Sequence, residues 1–136
     1  MPHIVIEYSQ DSFESKDLPS DHTECGLPQG IPGLVNCVFE AVANTNIVNT
    51  ENIKVRTYAT EFYKLGLINT GFIHAVCKTH VGKTDIEKQT LSQAILTSLN
   101  QYIGQSNQSL VKHSMVITVE VVEMDSSSYS KCMIEK

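Results

Sequence analysis

The stretch Pro2-His3-Ile4-Val5-Ile6-Glu7-Tyr8 decides the fold, because its β-branched, alternating residues predict a strand directly after the initiator methionine. Methionine before a small residue is usually removed, which would leave the Pro2 nitrogen as a free secondary amine. A free α-amino group has a pKa of about 7.7–8.0, and burial or nearby cations lower it. Pro2 is therefore a candidate general base near pH 7, and the alternative is a proline that merely begins a strand.

Apolar periodicity along the rest of the chain predicts the order βαβ-βαβ. The first predicted unit consists of strand Pro2–Tyr8, a helix that begins at Pro32 and Gly33, and strand Ile53–Ala59; this helix has Leu34, Val38, Ala41 and Val42 on one face. The second unit consists of strand Gly71–Lys78, helix Asp85–Ile103 and strand Met115–Glu123. The predicted buried residues of its helix are Leu91, Ala94, Ile95, Leu99 and Tyr102. Thr84 and Glu87 have the spacing of a capping box for the second helix. We expect an α+β fold, with two helices on one face of a four-stranded sheet.

That arrangement leaves the other face of the sheet uncovered. Apolar residues from several strands would lie there, so we expect the chain to associate with copies of itself. A single domain should span residues 1–136, with a surface insertion at 11–30 and a polar tail at 124–136. The insertion contains His22, Glu24 and Cys25, which we interpret as solvated side chains rather than a metal site.

Composition narrows the functional classes. Ten Lys and Arg against fifteen Asp and Glu give a net charge of −5, and no basic run occurs, so nucleic acid is not an expected partner. Four dispersed cysteines without a C-x-x-C pair fit reduced thiols. We find no signal peptide and no apolar run of membrane-spanning length, and expect a cytoplasmic protein without membrane contact. A small anionic ligand would need a locally positive pocket.

Four residues besides Pro2 are candidates for binding such an anion. Arg56 is the only arginine, and its planar donor fork suits a carboxylate; the alternative is a solvated strand residue. Lys54 lies two positions earlier on the same face of its strand. Lys83 precedes the second helix, whose N-terminus can also receive an anion. Phe72 could line a cavity or belong to the core.

Five short segments, in the same order, resemble the 5-carboxymethyl-2-hydroxymuconate Δ-isomerase family of the tautomerase superfamily. They are Pro2–Ser9, Ile31–Leu34, Asn52–Arg56, Phe72–His74 and Gly82–Thr84. The resemblance implies a homotrimer of βαβ-βαβ subunits in which Pro2 relays a proton between a 2-hydroxy-dienoate and its 2-oxo-enoate form, without metal or other cofactor. Arg56, Lys54, Lys83 and Phe72 would bind the substrate.

The chain departs from that family at two positions. Arginine is expected where Lys54 and Lys83 stand, and lysine keeps the charge but loses bidentate geometry. A tautomerase for another 2-oxo acid therefore remains an alternative. A non-catalytic trimeric binding protein of the same fold is a second one.

Overall fold

A computed structural model describes residues 2–14, 30–106 and 108–136. Its main elements are β1 (His3–Ser9), α1 (Gly30–Asn44), β2 (Lys54–Thr60), β3 (Thr70–Thr79), α2 (Asp85–Leu99) and β4 (Ser114–Glu123). The predicted βαβ-βαβ order is confirmed.

The four strands form one mixed sheet in the order β2-β1-β3-β4. β1 runs parallel to β2 and antiparallel to β3, while β3 runs parallel to β4. Each helix therefore returns the chain between two parallel strands. Since β1 has a strand on either side, the first residues of the chain lie in the middle of the sheet.

The core lies between the sheet and the two helices. Alternate residues of β1 and β3 are fully buried, and so are residues at helical spacing in α1 and α2. These residues are Ile4 and Ile6 of β1, Ile73, Ala75 and Cys77 of β3, Leu34, Val38 and Val42 of α1, and Leu91, Ile95 and Leu99 of α2. The α+β prediction, with both helices on one face of the sheet, is correct.

The second helix differs from its prediction at its C-terminal end. The capping box of Thr84 and Glu87 is present, but regular α-helix ends at Leu99 and a π-helical segment, Asn100–Ser106, follows. Tyr102 lies in that segment and is half-buried, and its hydroxyl donates to the Gly30 carbonyl at 2.7 Å. Ala94 is also half-buried, facing the groove between α1 and α2.

The first part of the predicted insertion at 11–30 belongs to the core rather than to the surface. Ser12 and Phe13 are buried. The Phe13 ring packs edge-to-face on Tyr8 with centroids 5.0 Å apart, and its backbone forms a bridge with Val111. Aromatic burial thus anchors the chain just after β1. The segment with His22, Glu24 and Cys25 lies outside the described residues.

The polar tail folds back along the end of the sheet. Met124 N donates to the Thr79 carbonyl at 2.7 Å, and a turn held by Asp125 follows. This turn brings the Tyr129 ring against His3 and His80. Among the described residues, no helix has the length and apolar character needed to cross a membrane.

Candidate active site

Pro2 lies at the start of the central strand and is fully buried. Its carbonyl accepts a hydrogen bond from Lys54 N at 3.1 Å, which attaches it to the first residue of β2. Burial removes water from any amine formed here, and loss of hydration disfavours the charged form of an amine. The position therefore suits a neutral base.

The sheet surface opposite the helices, which we call the open face, carries both charged and apolar side chains. It comprises His3, Val5 and Glu7 of β1, Lys54, Arg56 and Tyr58 of β2, Phe72, His74, Val76 and Lys78 of β3, and Val116, Thr118, Glu120 and Val122 of β4. It is more polar than the argument from the sequence assumed. Two of its polar groups, His74 and Thr118, are hydrogen bonded to each other at 2.7 Å.

Positive charge is concentrated at the Pro2 end of this face. The sheet register places His3 between Lys54 and Lys78, and Arg56 follows two residues along β2. We call Lys54, Arg56 and Lys78 the cationic cluster. In the described parts of the chain, no carboxylate lies within ion-pair distance of any of the three. An otherwise acidic protein thus presents an uncompensated positive site beside Pro2.

His3 forms the centre of a short hydrogen-bond chain in this cluster. Its Nδ1 lies 3.4 Å from Arg56 Nη1, and its Nε2 lies 3.1 Å from the Tyr129 hydroxyl. Arginine can only donate, so Nδ1 accepts and the neutral ring carries its proton on Nε2, which donates to Tyr129. The contact holds the guanidinium on the open face and leaves its other N–H groups available.

The surroundings of His3 favour its neutral form. Burial lowers the pKa of His3 from 6.5, and the positive charges of Arg56, Lys54 and Lys78 lower it further. Protonation of Nδ1 would remove the acceptor for Arg56 and add a fourth positive charge to the cluster. The arrangement is therefore intact above the ordinary titration range of histidine.

Lys83 lies at the same end of the sheet as Pro2, in the loop that joins β3 to α2, and is half-buried. Two backbone N–H groups at this helix entrance are already occupied, because Glu87 N donates to Thr84 Oγ1 and Thr84 N donates to Glu87. An anion bound here would depend on the Lys83 charge more than on free N–H groups.

Phe72 is not brought together with the other candidates. It lies six residues before Lys78 on β3, about 20 Å away at 3.3 Å per residue. Its ring packs edge-to-face on Tyr63 with centroids 5.4 Å apart. Within one subunit, Phe72 therefore cannot line a cavity that contains Pro2.

A groove of about 760 Å³ runs between α1 and the outer edge of β2. Pro32, Val35 and Phe39 supply an apolar wall, and Lys54 and Arg56 lie along the strand side. Pro2 does not line this groove. Binding groups and the candidate base thus lie on neighbouring strands but share no enclosed cavity within a single subunit.

Sequence reasoning missed three residues of this site. Lys78 and Tyr129 had no local signal, since one is a strand lysine and the other lies in a serine-rich tail. No sequence pattern distinguishes His3 from a structural strand histidine, and its contacts with Arg56 and Tyr129 fit a positioning role. No set of three or more His, Cys, Asp or Glu in the described ranges is arranged to hold a metal ion.

The lowered pKa of His3 makes stability depend on pH. Since the folded state binds a proton at His3 less readily than the unfolded state, stability is greatest above about pH 6.5 and falls on acidification below it. We expect His3→Gln to lose less of its thermal midpoint than the wild type between pH 7 and pH 5. Differential scanning fluorimetry across this range measures the difference.

His113→Gln is the matched control, because His113 lies before β4 and contacts the Ser114 carbonyl instead of the cluster. It should keep the wild-type pH dependence. An identical loss of midpoint in His3→Gln and wild type would contradict the assignment.

Comparisons with known proteins give a fold but no sequence family. No family model matches the chain, and no curated protein matches it significantly. A 5-carboxymethyl-2-hydroxymuconate isomerase from Deinococcus radiodurans R1 superposes with a TM-score of 0.71 at 17% identity, covering 96% of this chain and 88% of that one. A 5-carboxymethyl-2-hydroxymuconate delta-isomerase gives 0.70 at 14% identity, covering 98% and 88%.

Other solved structures with the same fold have different names. A fused 4-OT described as a symmetric trimer matches with a TM-score of 0.63 at 10% identity, covering 93% of this chain and 91% of that chain. N1, a member of the cis-3-chloroacrylic acid dehalogenase family, matches with 0.60 at 10% identity, covering 95% and 79%. The chain therefore has the fold of the 5-carboxymethyl-2-hydroxymuconate isomerases.

Proposed function

We propose that this chain is a cofactor-independent isomerase that interconverts a 2-hydroxy-dienoate and its 2-oxo-enoate form, with 5-carboxymethyl-2-hydroxymuconate as the first candidate substrate. The observation that carries the proposal is the position of Pro2, buried at the start of the central strand beside an unpaired cationic cluster. A base and an anion-binding site are the two parts that this reaction requires.

Pro2 would transfer the proton in this reaction. With Met1 removed, its neutral nitrogen takes the enol proton of the substrate and returns a proton to a carbon of the conjugated system. One group serves for both steps, because the protonated amine is itself the acid for the second. Proton uptake and proton return are both efficient when the pKa of the amine is close to the working pH. Burial and neighbouring cations both lower the pKa of an amine toward that value.

The cationic cluster would hold the substrate. Arg56 is fixed by His3 and offers its remaining N–H groups to a carboxylate or to the oxygen of the dienolate, whose charge grows in the transition state. Lys54 adds a second charge on the same face of β2. Lys83, at the same end of the sheet, is a further candidate for a distal carboxylate.

We propose further that the active unit is a homotrimer. Two 4-OT proteins with this fold are described as symmetric trimers. Within the described ranges no element covers the open face, and the groove beside β2 lacks Pro2, so a neighbouring subunit could complete the cavity. Phe72, too distant to act in its own subunit, could line the site of another.

A different substrate is the main alternative. Proteins of this fold are named as isomerases, as a dehalogenase-family member and as a malonate semialdehyde decarboxylase, so the fold does not determine the reaction. Lysine instead of arginine at positions 54 and 83 changes how carboxylates are held. An assay should therefore include several 2-hydroxy-dienoates and simple 2-oxo acids, followed by ultraviolet absorbance.

The mechanism requires that the mature protein begin at Pro2. We expect intact-mass spectrometry to show loss of Met1 on most molecules. Pro2→Ala should lower kcat/KM but leave measurable isomerisation, since its primary amine can still accept a proton. Retention of Met1 would make the Pro2 nitrogen an amide, which is not basic, and would exclude the proposal.

Replacement of Arg56 tests the carboxylate clamp. Arg56→Ala removes charge-assisted hydrogen bonds of about 1.5–3 kcal/mol each, which corresponds to about 10- to 150-fold in kcat/KM. Arg56→Lys should restore part of the loss. Lys64→Ala, at an exposed lysine between β2 and β3, is the matched control and should behave as wild type. Normal kinetics in folded Arg56→Ala would remove Arg56 from the site.

Sedimentation equilibrium tests the assembly. At micromolar concentration the protein should show about three times the 15.1 kDa subunit mass. Tyr58→Glu adds charge to the open face at a residue that the proposed mechanism does not use, and it should weaken association if this face is buried between subunits. A stable wild-type monomer that is fully active would contradict the proposal.

A further inference from the structure

Thr79 is the last residue of β3, and its side chain is 1% exposed. Its hydroxyl oxygen is the buried side-chain polar atom that lacks a hydrogen-bond partner within the described part of the chain. Leaving a buried hydroxyl unpaired is unfavourable, and most buried polar groups in folded proteins have a partner. A partner for Thr79 Oγ1 is therefore to be sought nearby.

The sheet register identifies the group next to Thr79. β1 and β3 are antiparallel with His3 opposite Lys78 and Ile4 opposite Cys77, so one further step places Pro2 opposite Thr79. Both residues are buried, and both continue the series that faces the helices, through Ile4 on β1 and Cys77 on β3. Directly opposite residues have Cβ atoms about 4.5–5.5 Å apart.

Before Met1 is removed, the Pro2 nitrogen belongs to a tertiary amide and can neither donate nor accept effectively. Once Met1 is removed, the same nitrogen gains an N–H. A hydroxyl without a partner thus belongs to the residue opposite Pro2, whose nitrogen becomes a donor only after Met1 is removed.

We propose that Thr79 Oγ1 accepts a hydrogen bond from the Pro2 nitrogen of the mature chain and thereby directs the lone pair of that amine toward the substrate. Thr79 is then a positioning residue, and the proposal rests on the proposed function only in requiring a free Pro2 amine. In the protonated amine, one N–H stays on Thr79 and the other is the proton returned to substrate. No atom of Thr79 is consumed or transferred.

The charged groups around this end of the sheet come from five elements. They are His3 on β1, Lys54 and Arg56 on β2, Lys78 on β3, Glu123 on β4 and Lys88 on α2, and the loop after β3 adds Lys83 and the titratable His80. Glu123 is paired with Lys88 at 3.1 Å, so it does not offset the other cations fully. A hydroxyl that accepts from the protonated amine opposes the effect of these cations, because it stabilises the charged form of Pro2.

The test is a titration of the Pro2 nitrogen by ¹⁵N NMR in protein labelled with ¹⁵N-proline and shown by mass to lack Met1. Thr79→Val keeps the side-chain shape and removes the acceptor. Since a hydrogen bond is stronger to the charged amine than to the neutral one, we expect the titration midpoint to fall by about 0.5–1 pH unit. The acid limb of the pH profile of kcat/KM should move in the same direction.

Thr79→Ser keeps the hydroxyl and should retain the wild-type midpoint. Thr118→Val makes the same change on β4, away from Pro2, and should also leave the midpoint unmoved. An unchanged titration midpoint in Thr79→Val would overturn the proposal, and a raised thermal midpoint in the same variant would show that the hydroxyl is unpaired in the mature protein.

The titration midpoint of Pro2 also distinguishes the proposed Thr79 hydrogen bond from the proposed isomerase activity. A midpoint that responds to Thr79→Val in a protein inactive on all the dienols and 2-oxo acids would support the hydrogen bond and exclude the isomerase. Isomerase activity with an unresponsive midpoint would exclude only the role of Thr79.

Discussion

The position of β1 between β2 and β3 is the constraint on which the rest of the site depends. A chain terminus is normally mobile, because few contacts oppose its conformational entropy. Here the Pro2 carbonyl is bonded to Lys54 N, and the following residues pair with strands on both sides. Those two neighbours also bring Lys54 and Lys78 to either side of His3. One structural element therefore fixes Pro2 and assembles the charges around it.

Electrostatics then give this end of the sheet its character. The protein carries a net charge of −5, yet the described carboxylates nearest the Pro2 end pair elsewhere, as Glu123 does with Lys88. Because His3 stays neutral, it can accept from Arg56 without adding to the repulsion among the cations. Clustered cations without partners are unfavourable for folding by themselves. A bound dianion would relieve that repulsion, which makes this charge pattern more consistent with binding than with stability.

Local periodicity was sufficient to predict the helices and strands and the face of a strand on which each residue lies. Lys54 and Arg56 could therefore be assigned to one face of β2 from the sequence. It could not supply contacts that depend on distant pairing. Tyr129 is 126 residues from His3, and only the turn at Asp125 brings them together. Phe72 lies about 20 Å along β3 from Lys78, and alternation predicts the face of a strand on which a residue lies but not its distance from residues of other strands. Phe13 was predicted to lie in a surface segment, because a single aromatic residue among polar neighbours gives no periodic signal. It is buried in the structure.

The lysines at positions 54 and 83 bear on whether this chain could bind carboxylates in the same way as proteins with arginine at these positions. Lysine offers a strongly hydrated point charge on a flexible stem, whereas arginine presents a planar fork. In this chain only Arg56 can bind a carboxylate in the bidentate manner, and one of its nitrogens already contacts His3. Its free edge therefore suits one carboxylate, at one defined orientation. A second anionic group would be held by charge alone, which tolerates variation in its length and position. In the proposed isomerase, discrimination among substrates would therefore depend more on the group bound by Arg56 than on a second anionic group.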